Sequence, residues 1–251
     1  MSFWRGGRKV QETPKQKEPH VLHVLRASNN SERTADFGSI RFSGSRRPMP
    51  SKYARMAQST AATPQSFERV IPLLTDTWGL APPCALISIL GEFGANPNDI
   101  FQTREHLVFA RGLADAAVRM NAWVLTDGLA EGVASLAGRA LRETEVPLIG
   151  LAPWSAVAFH EELEARPNGQ VYVYGTGAKA HVGATGEAQK ALEPNHTHFI
   201  MVDDGDDQTP DDEWPVRSAL QKYLCDNDLS GADRLVAAGS THAPARPTVL
   251  A

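Results

Sequence analysis

From Cys84 to Leu224 the chain alternates between short, uninterrupted apolar runs and longer stretches with apolar residues at helical spacing. Cys84-Ala85-Leu86-Ile87-Ser88-Ile89-Leu90 is one such run and ends in Gly91, and Trp123-Val124-Leu125-Thr126 is another, closing at Asp127-Gly128. Pro147 to Ala152 and His198 to Val202 repeat the pattern. Runs of this length without polar alternation predict strands covered on both faces. Between them Ala110, Leu113, Ala114, Ala117 and Val118 recur on one face of a helix. Val133, Leu136, Ala137, Ala140 and Leu141 repeat that spacing, as do Val216, Ala219, Leu220, Tyr223 and Leu224. One-faced helices interleaved with buried strands predict an α/β fold, a doubly wound, mostly parallel, Rossmann-like sheet.

Upstream, Phe37-Gly38-Ser39-Ile40-Arg41-Phe42 alternates as a short strand does, and a Ser-Arg-Arg-Pro-Met-Pro loop follows. Phe67, Val70, Ile71, Leu74 and Trp78 predict a helix that Gly79 and the Pro82-Pro83 pair stop. Residues 153–194 are irregular apart from a short strand at Val171-Tyr172-Val173-Tyr174. Residues 1–36 show no period and read as a disordered basic leader, residues 37–225 as the folded domain, and residues 226–251 as a disordered tail.

Charge sharpens this division. The net charge is -4, yet residues 1–55 hold 12 Lys and Arg against 4 Asp and Glu, while residues 56–251 hold 13 against 25. The leader is either a solvated tail or a contact for an acidic lipid, nucleic acid or partner. The acidic folded part is not expected to bind nucleic acid. Cys84 and Cys225 are the only cysteines and read as free thiols. The first residues carry charge without an apolar core, unlike a secretory signal. No segment approaches the roughly 18–20 apolar residues of a membrane-spanning helix.

Ligands of open α/β sheets bind at the carboxyl ends of the strands. Gly91, Gly128 and Gly205 stand at such ends, where glycine lets a phosphate approach the backbone and the next helix offers unpaired N–H groups. The same glycines also suit any tight turn. Gly175-Thr176-Gly177-Ala178-Lys179-Ala180 imitates a dinucleotide-binding loop, but His181-Val182-Gly183 breaks the helix that such a loop needs. His196 and His198 are expected on opposite faces, which makes them poor joint metal ligands. Seven acids between Asp203 and Glu213 depart from EF-hand spacing. They read as helix capping and a solvated loop, with weak divalent-cation binding as the other use. Ser155 and His160 lack both a nucleophile elbow and a nameable acid.

Asn195-His196-Thr197-His198-Phe199-Ile200-Met201-Val202-Asp203-Asp204-Gly205 resembles a signature strand in the cytosolic N-terminal region of melastatin-type TRP channels (TRPM), a SLOG-type domain. Lys52-Tyr53-Ala54-Arg55 is similar to another motif of that family. Thr126, Gly128, Gly132 and Val133 match its Thr-Gly-Gly…Gly-Val turn, with Asp127 in place of a glycine. Ser88-Ile89-Leu90-Gly91-Glu92 stands where the family has Ser-Val-Thr-Gly-Gly, so Glu92 is a second carboxylate replacing a glycine. Ile149-Gly150-Leu151-Ala152-Pro153-Trp154 is similar to Ile-Gly-Val-Ala-Thr-Trp, without the basic residues that commonly follow. No counterpart of the family's last Gly-rich phosphate loop is recognisable, and the last strand before it is not expected.

The resemblance covers residues 37–225. It implies a non-catalytic nucleotide-sensing or assembly module, and a ligand site drawn from Gly91, Glu92, Thr126, Asp127, Gly128, Gly132 and Trp154. It further implies a nucleotide-derived, ADP-ribose-like ligand, no required cofactor or metal, and other channel subunits or domains as partners. A nucleotide phosphoribohydrolase of the related LOG group is one alternative, although that chemistry uses a Pro-Gly-Gly-x-Gly-Thr…Glu constellation with no match here. A divergent module that only binds protein is the other.

Overall fold

The computed structural model describes residues 37–45, 47–57, 67–91, 104–164, 170–175, 181–182, 188–203, 213–227 and 248–250. The leader, Glu92, Gly205 and the acidic stretch from Asp204 to Asp212 lie outside them.

Strands β1 (Phe37–Phe42) and β2 (Ser51–Ala57) form a hairpin. Helix α1 (Phe67–Pro72) leads to β3 (Ala85–Ser88), α2 (Arg104–Arg119), β4 (Ala122–Thr126), α3 (Gly132–Leu141) and β5 (Leu148–Pro153). A short α4 (His160–Glu164), β6 (Val171–Tyr174) and a two-stranded ribbon of β7 (His181–Val182) and β8 (Ala188–Gln189) follow. The described elements end with β9 (His198–Asp203), α5 (Glu213–Asp226) and β10 (Thr248–Leu250). The main sheet runs β10-β3-β4-β5-β9-β2-β1-β6, and every pairing is parallel except that of β1 with β2.

The uniform apolar runs are explained by cover on both faces. Leu86, Trp123, Leu125, Ile149, Leu151 and Ile200 point to one face and join Phe67, Val70, Val216 and Leu220 of α1 and α5. Their neighbours Ala85, Val124 and Leu148 point to the other face and join Leu113, Ala117, Ala137 and Leu141 of α2 and α3. Phe199 and Met201 continue that second face under a cover made by Leu129 and, from the irregular stretch, Trp154, Val157 and Leu192.

Three details differ from the sequence pattern. The helix expected through Trp78 is α-helical only to Pro72 and then widens into a π-helical turn, Leu73–Thr77. Pro72 brings no N–H to the ladder, and the wider turn closes with Trp78 N–H on the Leu73 carbonyl at 3.0 Å. The central strand β2 has no apolar run to announce it, because Lys52 and Arg55 interrupt the segment. Thr248–Leu250 pairs in parallel with β3, within the stretch read as a disordered tail. Three residues are too few to show a period, and pairing alone makes them a strand.

His196 and His198 do face opposite ways. Side chains two apart on a regular strand share a face, but His196 precedes β9 and stacks on Phe199, whereas His198 stacks on Trp78 with ring centroids 5.2 Å apart. Burial first, then the Arg47 and Lys52 charges, push the His198 pKa down to about 3, so the ring is neutral.

The sheet is tightest where β4 leaves it. A Cβ on Gly150 would lie 2.6 Å from Gly128 Cα and 2.9 Å from Phe199 Cδ1. Gly150→Ala is therefore expected to destabilise the fold by about 1–3 kcal/mol, the usual cost of overpacking, in denaturant unfolding of the purified chain. An unchanged midpoint would show that these strands have room to part.

Candidate functional site at the strand ends

Ser88 is level with Leu125 and Thr126 with Gly150, so β3 and β4 stop while β5 and β9 continue to Pro153 and Asp203. The stagger leaves a step above β3 and β4. Gly91 lies on it with φ of 141°, and a Cβ there would meet only Val133 Cγ1 at 3.8 Å. The end of β3 thus runs beside the first turn of α3 and leaves that side open. Gly132 begins this helix at φ 47°, a left-handed value suited to glycine. Glu131, the residue before it, makes no side-chain cap and pairs instead with Lys190.

Helix α5 brings a cation to the step from below. Arg217 is buried, and its Nη1 donates to Ser88 Oγ at 3.2 Å. It was not among the residues singled out from sequence. A signal was present, since Arg217 precedes Leu220 and Leu224 by three and seven positions and so lies on their apolar stripe. Asp127 is half-buried, and its Oδ1 accepts the Leu129 N–H at 3.1 Å. Burial raises its pKa above the ordinary carboxylate value, with Glu131 adding to this; the Leu129 amide and the Arg217 charge oppose the rise.

Two other sequence candidates have their polar or steric needs met inside the fold. Thr126 is fully buried, and its Oγ1 lies 2.7 Å from His196 Nε2 and accepts the Gly128 N–H at 2.9 Å. His196 Nδ1 lies 2.8 Å from Glu193 Oε2, and the Glu193 N–H donates to the Gly128 carbonyl at 2.9 Å. Gly128 is also pressed against Gly150 and Phe199, so its lack of a side chain serves strand packing.

Trp154 sits beside a second buried cation. Arg55 Cζ lies 4.2 Å from the indole centroid, and His160 meets the same ring edge-on. Arg55 Nε donates to Asp203 Oδ2 at 2.8 Å, Nη2 pairs with the same oxygen, and Nη1 reaches Glu164 at 2.9 Å. Gly91, Asp127 and Gly132 therefore gather on the open step with Arg217 and Ser88, while Thr126, Gly128 and Trp154 are engaged in the core. Glu92 lies outside the described residues. Among the described residues, no group of three or more His, Cys, Asp or Glu side chains is placed to hold a metal ion. None of the described helices is long and apolar enough to cross a membrane.

A family model described as SLOG in TRPM matches residues 51–237. The chain is 33% identical over 201 residues to transient receptor potential cation channel subfamily M member 2 of Rattus norvegicus, which covers 76% of this chain and 12% of the relative. It is 30% identical over 229 residues to subfamily M member-like 2 of Nematostella vectensis, covering 83% of this chain and 14% of that one. Against subfamily M member 7 of Homo sapiens the identity is 30% over 202 residues, 76% of this chain and 10% of the relative. The matched region thus spans about an eighth of the length of the first of these relatives.

The raised Asp127 pKa fixes the sign of a pH effect. Its folded form holds the proton to higher pH than the unfolded chain does, so its contribution to stability is lost as pH rises from the ordinary carboxylate range through the raised value. Asp127→Asn keeps an acceptor for the Leu129 N–H and removes the charge. The variant is expected to melt above the native chain at pH 7, with the difference vanishing in acid. A constant difference across pH in thermal unfolding would contradict this account of the burial.

Proposed function

The chain belongs to the SLOG-in-TRPM family, and on that premise we propose that it is a non-catalytic nucleotide-sensing and assembly domain, acting on the cytosolic side of a TRPM-like cation channel. The observation that carries the reading is the open side of Gly91 beside the first turn of α3, with Arg217 buried behind Ser88 as a positive charge that acts on the step through its field. A buried guanidinium and a helix N-terminus attract the same chemistry, a phosphate group. A nucleotide-derived ligand of the ADP-ribose kind would set its phosphates on the step between Gly91, Gly132 and Asp127.

Asp127 tunes this site against a bare anion. Unit charges about 4 Å apart interact by roughly 1 kcal/mol in water and about 4 kcal/mol at an effective dielectric near 20. Glu92, the next residue after Gly91 in the sequence, is a second carboxylate that lies outside the described residues. A divalent cation between carboxylate and phosphate reverses the sign of that interaction. Binding is therefore expected to depend on Mg²⁺ or Ca²⁺.

The non-catalytic reading rests on access. Among the described residues, the acid–base series near the step, Thr126 with His196 and Glu193, is closed to solvent, with exposures of 0%, 0% and 3%. No reacting group could come within hydrogen-bond reach of it. The assembly half is supported by α2, which exposes Leu107, Val108 and Val118 beside an apolar groove of about 480 Å³ lined by Leu90, Phe109 and Leu113. Apolar surface of this kind suits contact with another part of a longer chain.

Calorimetry with ADP-ribose tests the ligand. Weak binding is expected without divalent ions, strengthened tenfold or more by Mg²⁺ or by the Asp127→Gly and Glu92→Gly pair, and lost in Arg217→Gln. Tight metal-free binding that these substitutions leave unchanged would move the site elsewhere. Chromatography after incubation with AMP and ADP-ribose should show no turnover, and enzyme-dependent release of base would favour the phosphoribohydrolase reading.

A further inference from the structure

We infer that Glu193, His196 and Thr126 form a buried positioning relay that holds the Thr126–Gly128 turn in the shape that receives a phosphate and seats the body of α3 beside it. The inference rests on the reading of that step as the ligand site. The hydrogen-bond roles follow from the partners at each atom. Thr126 Oγ1 accepts the Gly128 N–H at 2.9 Å, which leaves its own proton to donate to His196 Nε2 at 2.7 Å. His196 Nε2 is then an acceptor, so the ring proton sits on Nδ1 and donates to Glu193 Oε2 at 2.8 Å. The Asn195 N–H and Nδ2 complete the carboxylate, at 2.9 Å to Oε2 and 2.6 Å to Oε1. The opposite tautomer would set the Nδ1 lone pair against a carboxylate and leave the Thr126 proton without an acceptor in a site closed to water.

Glu193 contacts both the turn after β4 and the body of α3. On one side the series ends at the Gly128 N–H, and the Glu193 backbone N–H binds the Gly128 carbonyl at 2.9 Å, so the turn after β4 is gripped by both its peptide groups. On the other side Glu193 lies in a notch of α3, where a Cβ at Gly138 would come within 2.6 Å of Oε1. Asp127 stands between Thr126 and Gly128, so its direction toward the step is set by this grip. None of the three relay residues reaches the ligand; they act through the turn.

The relay makes a prediction that a generic core contact does not. Nitrogen NMR of the whole chain should show His196 as a neutral Nδ1–H tautomer. Thr126→Val keeps the shape but removes the hydroxyl, so Gly128 amide exchange should quicken at least tenfold and ADP-ribose affinity in Mg²⁺ should fall, while Thr126→Ser restores both. Should Thr126→Val not fold, Glu193→Gln serves the same purpose, with loss of the Nδ1–H signature and faster Gly128 exchange expected. Unchanged Gly128 exchange in a folded variant would overturn the relay. Faster exchange with unchanged affinity would overturn its positioning role. Failure of the native chain to bind ADP-ribose would instead sink the ligand reading, and tautomer and exchange would still decide whether the relay grips the turn.

Discussion

Glu193 is a carboxylate taken out of water, and the surrounding structure is organised by what that requires. An ionised carboxyl in an apolar interior is tolerated only when its oxygens are filled by donors. Here the donors come from Asn195 and His196, with the Arg47 guanidinium near enough to feel the same charge. Space for the group comes from Gly138, whose missing side chain opens the α3 surface at that point. The chain leading into β9, the packing of α3 and the turn after β4 therefore cannot be adjusted independently. A shift of the chain leading into β9 breaks hydrogen bonds to a buried carboxylate, which is more costly than losing an apolar contact of similar size, and α3 and the turn must fit around that carboxylate.

The two buried arginines show how similar residues come to different uses. Arg55 has two carboxylates and an indole face about it, and its pKa is raised because the bonds to Glu164 and Asp203 outweigh the burial that would lower it. It closes the upper end of β2 and β9 as a structural ion pair. Arg217 arrives from the opposite face of the sheet, on a helix stripe otherwise given to Val216, Leu220 and Leu224. One of its donor contacts is the small Ser88 hydroxyl, and its charge works against the raised pKa of Asp127. The difference lies in the stagger of the strands. At β2 and β9 the sheet continues far enough to supply acids of its own, whereas β3 and β4 stop short and leave a step.

Several residues were legible as belonging to the site region without their roles being legible. Thr126 and Gly128 have the types and spacing of a phosphate turn, yet one is occupied by His196 and the other by the contact of β4 with β5 and β9. Trp154 follows a strand end in the manner of a ligand platform, but the Arg55 guanidinium lies over its ring. The signature around His196 first looks like the approach to a binding loop, and its polar residues in fact bond inward to Glu193, Leu148 and Thr126. Residue type states what chemistry a side chain can perform. Only its neighbours state whether that chemistry is already spent on the fold.

The alternation of apolar runs and one-faced helices was sufficient by itself for the α/β class, for four of the strands in the centre of the sheet, and for the helices on both faces. These follow from local periodicity, which a sequence carries in full. The strand β2, with Lys52 and Arg55 in its pattern, and the edge strand β10 became strands through pairing with β9, β1 and β3, a relation between distant segments that no local period records. The same holds for the step at Gly91, the cation that Arg217 brings to it, and the relay from Glu193 to Gly128. The step depends on the register of β3, β4 and β5, and the other two bring residues more than sixty positions apart within hydrogen-bond range. That distance is closed only when the sheet has its order and stagger, so the chemistry of the strand ends was decided by the tertiary structure.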